Sequence, residues 1–490
     1  MPNFLFCNSS PTDLNAWSCS SHNVPFTDYT PSNASFPTMR LEQLPPEILS
    51  EIMMHLQVQD FHAFIQLIVA GQQFWNVALG TPGLWTTICL GLPTAARLNL
   101  ARERGSDVTP ADLWSRIPFF DWSGSMLIDL TISLLRDRPG VDHADGMPQY
   151  LELLVEQIFQ HAPRLRSLAI ETCRWQDYGV LVRLLHDNHV RMPVLQDLAI
   201  RFDEDFNAPL LDVVPYRPAE DNAAASPTSH QLQCFLSSHR ETLVVLELVH
   251  ALPSSSLELE PVTFPKVREF KFGFKRIEDV RKATTFLLFP ALRTLSLVDG
   301  IPEDKVTERR HLLGTLKSWP LGQVTHLVLD SFWFYHGFEN GFLHRVLFTP
   351  GNEVLVPLPH DNDGVTWFSE LYSLEELTLL SANETMYAAL GDPGLFEDQH
   401  AALPLGTLRR MTIEPLDESH LIYFLRVRSA FIHSPVVNIP QLESLTLDVK
   451  PESGERLHRS CRPELATRIV NRRGPERVFI VNDAEANTLF

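Results

Sequence analysis

His186 and His189 stand three residues apart, a spacing that on a helix brings two imidazoles to one face, as zinc ligation requires. No third ligand accompanies them, so the pair is expected to be the surface end of a helix. Residues 359–370 read PHDNDGVTWFSE and invite a test as a calcium loop. With Gly364 at the loop glycine, Asp361 and Asp363 fall at oxygen-donating positions and Glu370 at the bidentate one. Pro359, however, occupies the first, normally aspartate, position, and Trp367 a crowded one. A polar turn feeding a helix over 365–373 is expected there. Gly-rich phosphate loops, a Gly-x-Ser-x-Gly elbow and His-Glu-x-x-His are absent from the sequence. The remaining carboxylates show no spacing that singles out an acid–base pair. The residues therefore point to a chain that is not an enzyme and carries no metal or cofactor.

Bulk properties narrow the partners. The chain has 490 residues and a formal net charge of -20, so phosphate backbones and anionic membranes would repel it. The one basic concentration, Arg456 to Arg477, is interrupted by Glu455, Glu464 and Glu476 and is expected to be solvated surface. Neither nucleic acid nor membrane is expected as a partner. Six cysteines without a Cys-x-x-Cys pair suit a reducing compartment, and the start MPNFLFCNSSPTD lacks a basic signal-peptide region. A cytoplasmic or nuclear location is expected.

The elements divide the chain into four parts. Residues 1–38 are rich in Ser, Asn, Thr and Pro without apolar period, and a disordered arm is expected. Residues 39–90 form a helical unit. Proline at 45 and 46 suits a first helical turn, Glu47 complements the positive helix end, and Ile48, Leu49, Ile52, Met53 and Leu56 recur at helical spacing. So many apolar residues in about fifty must dock on something, because small domains leave too much surface exposed. From 91 to 450 an apolar-x-x-apolar-x-apolar pattern occurs ten times, from Leu127/Leu130/Ile132 to Leu442/Leu445/Leu447. Alternation at its end marks a strand with one buried face, and amphipathic helical stretches separate the copies. Residues 451–490 are left as a cap or tail.

The stretch LPPEILSEIMMHL, followed by Asp60, an apolar helix, Trp75 and TPGLWTTICL, resembles the F-box in its fungal form. Leu44, Pro45, Glu47, Ile48, Leu49, Ile52, Leu56 and the Leu84-Trp85 pair match that signature position by position. The second half departs from it: Phe61 replaces a leucine, and Ala70-Gly71-Gln72-Gln73 replace a cysteine turn and basic pair. The repeated pattern resembles a leucine-rich-repeat solenoid with uneven spacing, and insertions are expected near 203–230, 331–370 and 381–403. The fold class implied is α/β: a small all-helical F-box head followed by an irregular leucine-rich-repeat α/β solenoid. A closed βα barrel is the runner-up, disfavoured because barrel strands are usually continuous Val/Ile runs.

The resemblance implies a substrate-recognition subunit of a Skp–cullin–F-box ubiquitin ligase. A Skp-type adaptor, and through it a cullin, would be held by Leu44, Pro45, Ile48, Leu49, Ile52, Leu56 and Trp75. A target protein of unknown identity would lie on the outward strand residues, from Ser167/Ala169, Asp197/Ala199, Val245/Glu247 and Glu269/Lys271 to Ser444/Thr446. Catalysis would belong to other subunits. The alternative is a repeat scaffold not acting in ubiquitination, with the helical head as a structural cap.

Overall fold

In a computed structural model, the parts described are residues 41, 44–59, 67–68, 70–91, 119–134, 147–172, 175–187, 190–202, 229–252, 260–302, 312–332, 367–368, 370–381, 407–413, 444–447, 468–471 and 478–479. The expected N-terminal arm, the three insertions in their larger part, and most of the C-terminal basic stretch lie outside them. The chain divides into two compact units. The first takes Met1–Ile88, Pro93–Ile128 and Gly140–Tyr150, and the second Cys89–Leu92, Asp129–Pro139 and Leu151–Phe490.

The first unit holds α1 (Pro46–Gln59), α2 (Gln72–Leu79), a 3-10 turn at Pro82–Trp85 and the short α3 (Phe119–Trp122). Pro46 opens α1 where its missing N–H is no loss, and the Leu49 N–H reaches back 3.0 Å to the Pro45 carbonyl. The core is Leu49, Met53, Ile68, Phe74, Val77, Ala78, Leu84 and Trp85, with Trp75 and Trp122 packed against it. Trp122 lies beyond the expected boundary at 90. Its ring meets Trp75 edge-on at 5.6 Å and Trp85 at 4.7 Å. An aromatic that far along the chain carries no periodic signal linking it to a helical unit.

The second unit is α/β. The described strands are β1 (Thr87–Gly91), β2 (Ile128–Leu134), β3 (Leu165–Thr172), β4 (Asp197–Phe202), β5 (Val245–Val249), β6 (Val262–Thr263), β7 (Glu269–Phe274), β8 (Leu287–Leu288), β9 (Thr294–Asp299), β10 (His326–Asp330), β11 (Glu376–Leu380), β12 (Arg410–Ile413), β13 (Ser444–Leu447), β14 (Arg468–Asn471) and β15 (Val478–Phe479). Apart from β6 and β8, which pair with each other, they form one sheet in sequence order. From β3 to β14 the neighbours run parallel, and the β14–β15 pair is antiparallel. This order is open from β1 to β15, so the closed barrel is not what the described strands form. Two strands, β14 and β15, fall where a cap or tail was expected.

Helices α4 (Met147–His161), α5 (Trp175–Asp187), α6 (Ser229–His239), α7 (Ile277–Phe286) and α8 (Leu312–Leu316) stand between strands. The Leu151, Leu154, Val155 and Ile158 face of α4 is buried, as are Leu232, Phe235 and Leu236 on α6, in line with their spacing.

The repeated pattern has a direct physical meaning. Its last two apolar positions form two buried register rows, Leu168–Leu198–Leu246–Phe270–Leu295–Leu327–Leu377–Met411 and Ile170–Ile200–Leu248–Phe272–Leu297–Leu329–Leu379–Ile413. The first apolar position sits in the bend before the strand. There the N–H groups of Leu195, Leu292, Val324 and Leu374 bond to carbonyls three residues back, those of Met192, Phe289, Leu321 and Leu371. The first copy differs. Leu127 is exposed, and Ile128, Leu130, Ile132 and Leu134 alternate inward along β2 instead.

Candidate functional site

Two surfaces could make contacts, one on each unit. On the first unit, α1 splits the residues that its sequence groups together. Leu49 and Met53 point into the core at 0% exposure, while Ile48 stands 44% exposed and Pro45 is exposed. Leu44, Ile52, Leu56 and Trp75 are half-buried, and Leu44, Leu56 and Trp75 pack on the core. Leu49 is thus part of the core of the unit. It sits about 100° further round the helix than Ile48, enough to turn one side chain inward and the next outward. Pro45, Ile48 and Ile52 remain as the outward part of the expected adaptor-binding set.

The Leu84-Trp85 pair is also internal. Trp85 donates its indole N–H to the Ala78 carbonyl at 2.8 Å, and Gln57 Nε2 donates to the Leu84 carbonyl at 2.6 Å. At the altered turn, Gly71 caps α2 in an extended conformation, and Gln72 Nε2 bonds to Asn76 Oδ1 at 2.9 Å. An open cleft of about 660 Å³ runs along Pro46, Glu47, Ser50, Gln72, Gln73 and Asn76, so the two glutamines line a cleft where the F-box pattern has a basic pair.

On the second unit the functional candidate is the open face of the sheet. The rows alternating with the buried ones are Ser167–Asp197–Val245–Glu269–Thr294–His326–Glu376–Arg410 and Ala169–Ala199–Glu247–Lys271–Ser296–Val328–Thr378–Thr412. The face residues expected from sequence thus lie side by side, about 4.8 Å apart from strand to strand. Ser444 and Thr446 continue the two rows on β13.

Ion pairs cross this face. Arg201 on β4 binds Glu247 on β5 through Nε to Oε1 at 2.9 Å and Nη2 to Oε2 at 2.7 Å, and reaches Glu171 on β3 at 2.8 Å. Lys271 on β7 adds a contact to Glu247 at 2.9 Å. Burial pushes the Glu247 carboxyl up, but hydrogen bonds and charges from Arg201 and Lys271 outweigh it and hold the group below the ordinary carboxylate range. On the next strands Arg410 and His326 both approach Glu376 Oε2, at 3.0 and 3.4 Å. Arg166 grips Asp129 with Nε at 2.9 Å from Oδ1 and a second contact to Oδ2.

Glu171 and Arg201 were not among the expected face residues. Each comes one position after the last apolar residue of its copy, and that position could have been read as a third outward row.

Glu247 supports a prediction. It is 8% exposed and holds two half-exposed cations. Glu247→Gln is expected to lower the unfolding free energy at pH 7 by about 2 kcal/mol, the loss of charge-assisted hydrogen bonds. Because the folded carboxyl titrates below its unfolded value, its contribution is present above about pH 4.3 and fades as pH falls through the folded value. Urea unfolding of wild type and variant at pH 7 and pH 3 checks this. A difference that does not shrink at pH 3 counts against it.

The residues that the sequence singled out for chemistry lie in large part outside the described ones. His186 Nδ1 lies 3.0 Å from Asp187 Oδ1 at the end of α5, and His189 lies outside the described residues. Of the calcium-loop tract, Asp361, Asp363 and Gly364 lie outside them too, while Trp367 is fully buried and stacks on Phe332 at 6.1 Å. Among the described residues no group of three His, Cys, Asp or Glu could hold a metal ion, and no helix is long and apolar enough to cross a membrane. Comparison with known proteins finds no family model that matches the chain and no curated protein that matches its sequence.

Proposed function

We propose that the chain is the substrate-recognition subunit of a Skp–cullin–F-box ubiquitin ligase, with residues 39–90 as an F-box and the sheet-bearing unit as an irregular leucine-rich-repeat solenoid. The observation that carries this reading is the succession of the two units. A compact helical head built from LPPEIL and Leu84-Trp85 precedes a sheet whose strands follow sequence order, ten of the thirteen described carrying one copy each of the repeated apolar pattern. Strands added in order, each packed on the last, are what stacked repeats produce.

In this reading Pro45, Ile48 and Ile52 meet the Skp-type adaptor, and the open face holds a target protein. The chain works by proximity, raising the target's effective concentration beside a conjugating enzyme carried by other subunits. Residue chemistry on this chain then matters for binding rather than for bond making. A cytoplasmic or nuclear location fits such a role.

Affinity purification of the full chain tests the proposal. Wild type is expected to bring down a Skp-type adaptor and a cullin, and Pro45→Ala with Ile48→Asp to reduce recovery at least ten-fold while leaving the far-UV circular dichroism unchanged. Bound targets should accumulate when the proteasome is inhibited. If the adaptor is absent from the wild-type purification, the proposal fails. If target levels ignore proteasome inhibition while binding persists, the chain is a repeat scaffold outside ubiquitination.

A further inference from the structure

The ionisable side chains on the two open rows from β3 to β12 fall into two groups. Glu247, Lys271, Glu376 and Arg410 are each held in an ion pair, and His326 lies 3.4 Å from the Glu376 carboxylate. The carboxylates of Asp197 and Glu269, on β4 and β7, make no hydrogen bond or ion pair among the described residues. They share one register row, with Val245 of β5 between them. Asp197 and Val245 are half-exposed and Glu269 is exposed.

Asp197 is also under-neutralised. Burial and the nearby Asp129 charge push its carboxyl above the ordinary range, and Glu269 adds to this, while Arg166, committed to Asp129, offsets only part. A cation arriving at Asp197 would therefore relieve an unfavourable charge rather than compete with an existing partner.

The spacing chooses the shape of the arrival. Neighbouring strands lie about 4.8 Å apart, so Asp197 and Glu269, two strands apart, present carboxylates about 10 Å from each other with a valine midway. A helix laid across the strands places positions i and i+7 about 10.5 Å apart on one face, with i+3 and i+4 between them. An extended segment covers about 10 Å in three residues, which point to opposite sides.

We propose that Asp197, Val245 and Glu269 form a docking strip for a basic amphipathic helix of a partner protein. The helix carries Lys or Arg at i and i+7, and an aliphatic side chain at i+3 or i+4. This names a class of target for the open face and rests on that face being the target-binding end of the proposed receptor.

The test uses the purified full chain and a fluorescent, alanine-rich synthetic helix of about 21 residues with Arg at i and i+7 and Leu at i+4. Fluorescence anisotropy at low salt reports binding. Asp197→Asn with Glu269→Gln, both nearly isosteric, should weaken binding at least ten-fold. The pair Glu152→Gln with Glu156→Gln removes the same charge from exposed positions on α4 and should leave affinity within two-fold. A peptide of equal composition with its arginines at i and i+9, on opposite helix faces, should bind wild type at least ten-fold less tightly. Absence of binding to wild type, equal weakening by both double variants, or equal binding of both peptides would each overturn the strip. The last two outcomes would assign attraction to the net charge of -20 alone. Recovery of the adaptor is measured separately: peptide binding without adaptor sinks the ligase reading and keeps the strip, and the converse sinks the strip alone.

Discussion

Phe272→Ala is expected to lower the unfolding free energy of the sheet-bearing unit by about 3–5 kcal/mol. Phe272 is fully buried on β7, where Phe270, Phe272 and Phe274 alternate onto the inner face. Its ring stacks 5.8 Å from Phe270, lies 5.6 Å from Phe274, and meets Trp319 at a steep angle at 5.9 Å. Removing it takes away the transfer free energy of the ring and leaves a cavity lined by large, rigid neighbours that cannot easily collapse inward. Ring-on-ring contacts add a further fraction beyond area burial. Urea unfolding followed by near-ultraviolet circular dichroism measures the loss. Thr294→Ala, on the open face of the next strand, is the comparison and should stay within about 1 kcal/mol. A loss below 1 kcal/mol at Phe272 would mean that its ring is not core.

The second large effect is expected at the head. Trp85 is 3% exposed, packs on Trp122, and satisfies the Ala78 carbonyl with its indole N–H. Trp85→Ala is expected to destabilise the first unit by about 3–5 kcal/mol, a large share of the stability a domain has. Trp85→Phe keeps most of the bulk and removes one donor to the Ala78 carbonyl, which still accepts from the Thr81 N–H at 3.2 Å, so a loss of only about 1 kcal/mol is expected. Limited proteolysis separates this from damage elsewhere. Cleavage within residues 46–85 should rise sharply in the alanine variant, with the phenylalanine variant between it and wild type. Equal protection of all three proteins would remove Trp85 from the core. Under the ligase proposal, adaptor recovery should fall with the same ranking, although Trp85 itself touches no partner.

These two positions show what local pattern can and cannot specify. The phenylalanines of β7 were legible because β-strand alternation is strict. Any x-Phe-x-Phe stretch buries one face once a sheet neighbour exists. Trp85 was legible only as part of a resemblance. Its inward role depends on Trp122, more than thirty residues on, and no periodicity connects the two. At α1 the 3.6-residue period grouped Ile48 with Leu49, but a helix face wide enough to hold both is wider than the core beneath it. The ends of β5, β10 and β11 were not legible at all. His250, Ser331 and Ser381 adopt left-handed backbone with φ between 50° and 54°, a conformation that sequence assigns first to glycine or asparagine. There the His250 N–H bonds to the Gly273 carbonyl at 2.9 Å and the Ser331 N–H to the Leu380 carbonyl at 2.8 Å, both on the neighbouring strand.

Sequence by itself determined the α/β class, the strands of the repeated copies and the residues on their two faces. Those follow from a period of two and a bend residue three places earlier, both local rules. Tertiary structure alone decided that the strands add in order into an open sheet, that Leu49 turns inward while Ile48 does not, and which charges are satisfied. Arg201 bridges Glu171 and Glu247 across three strands, and Asp197 is left beside Asp129 without a cation of its own. Pairing of charges depends on distances of a few ångströms between residues thirty or more positions apart, and the register that sets those distances exists only once the strands have met.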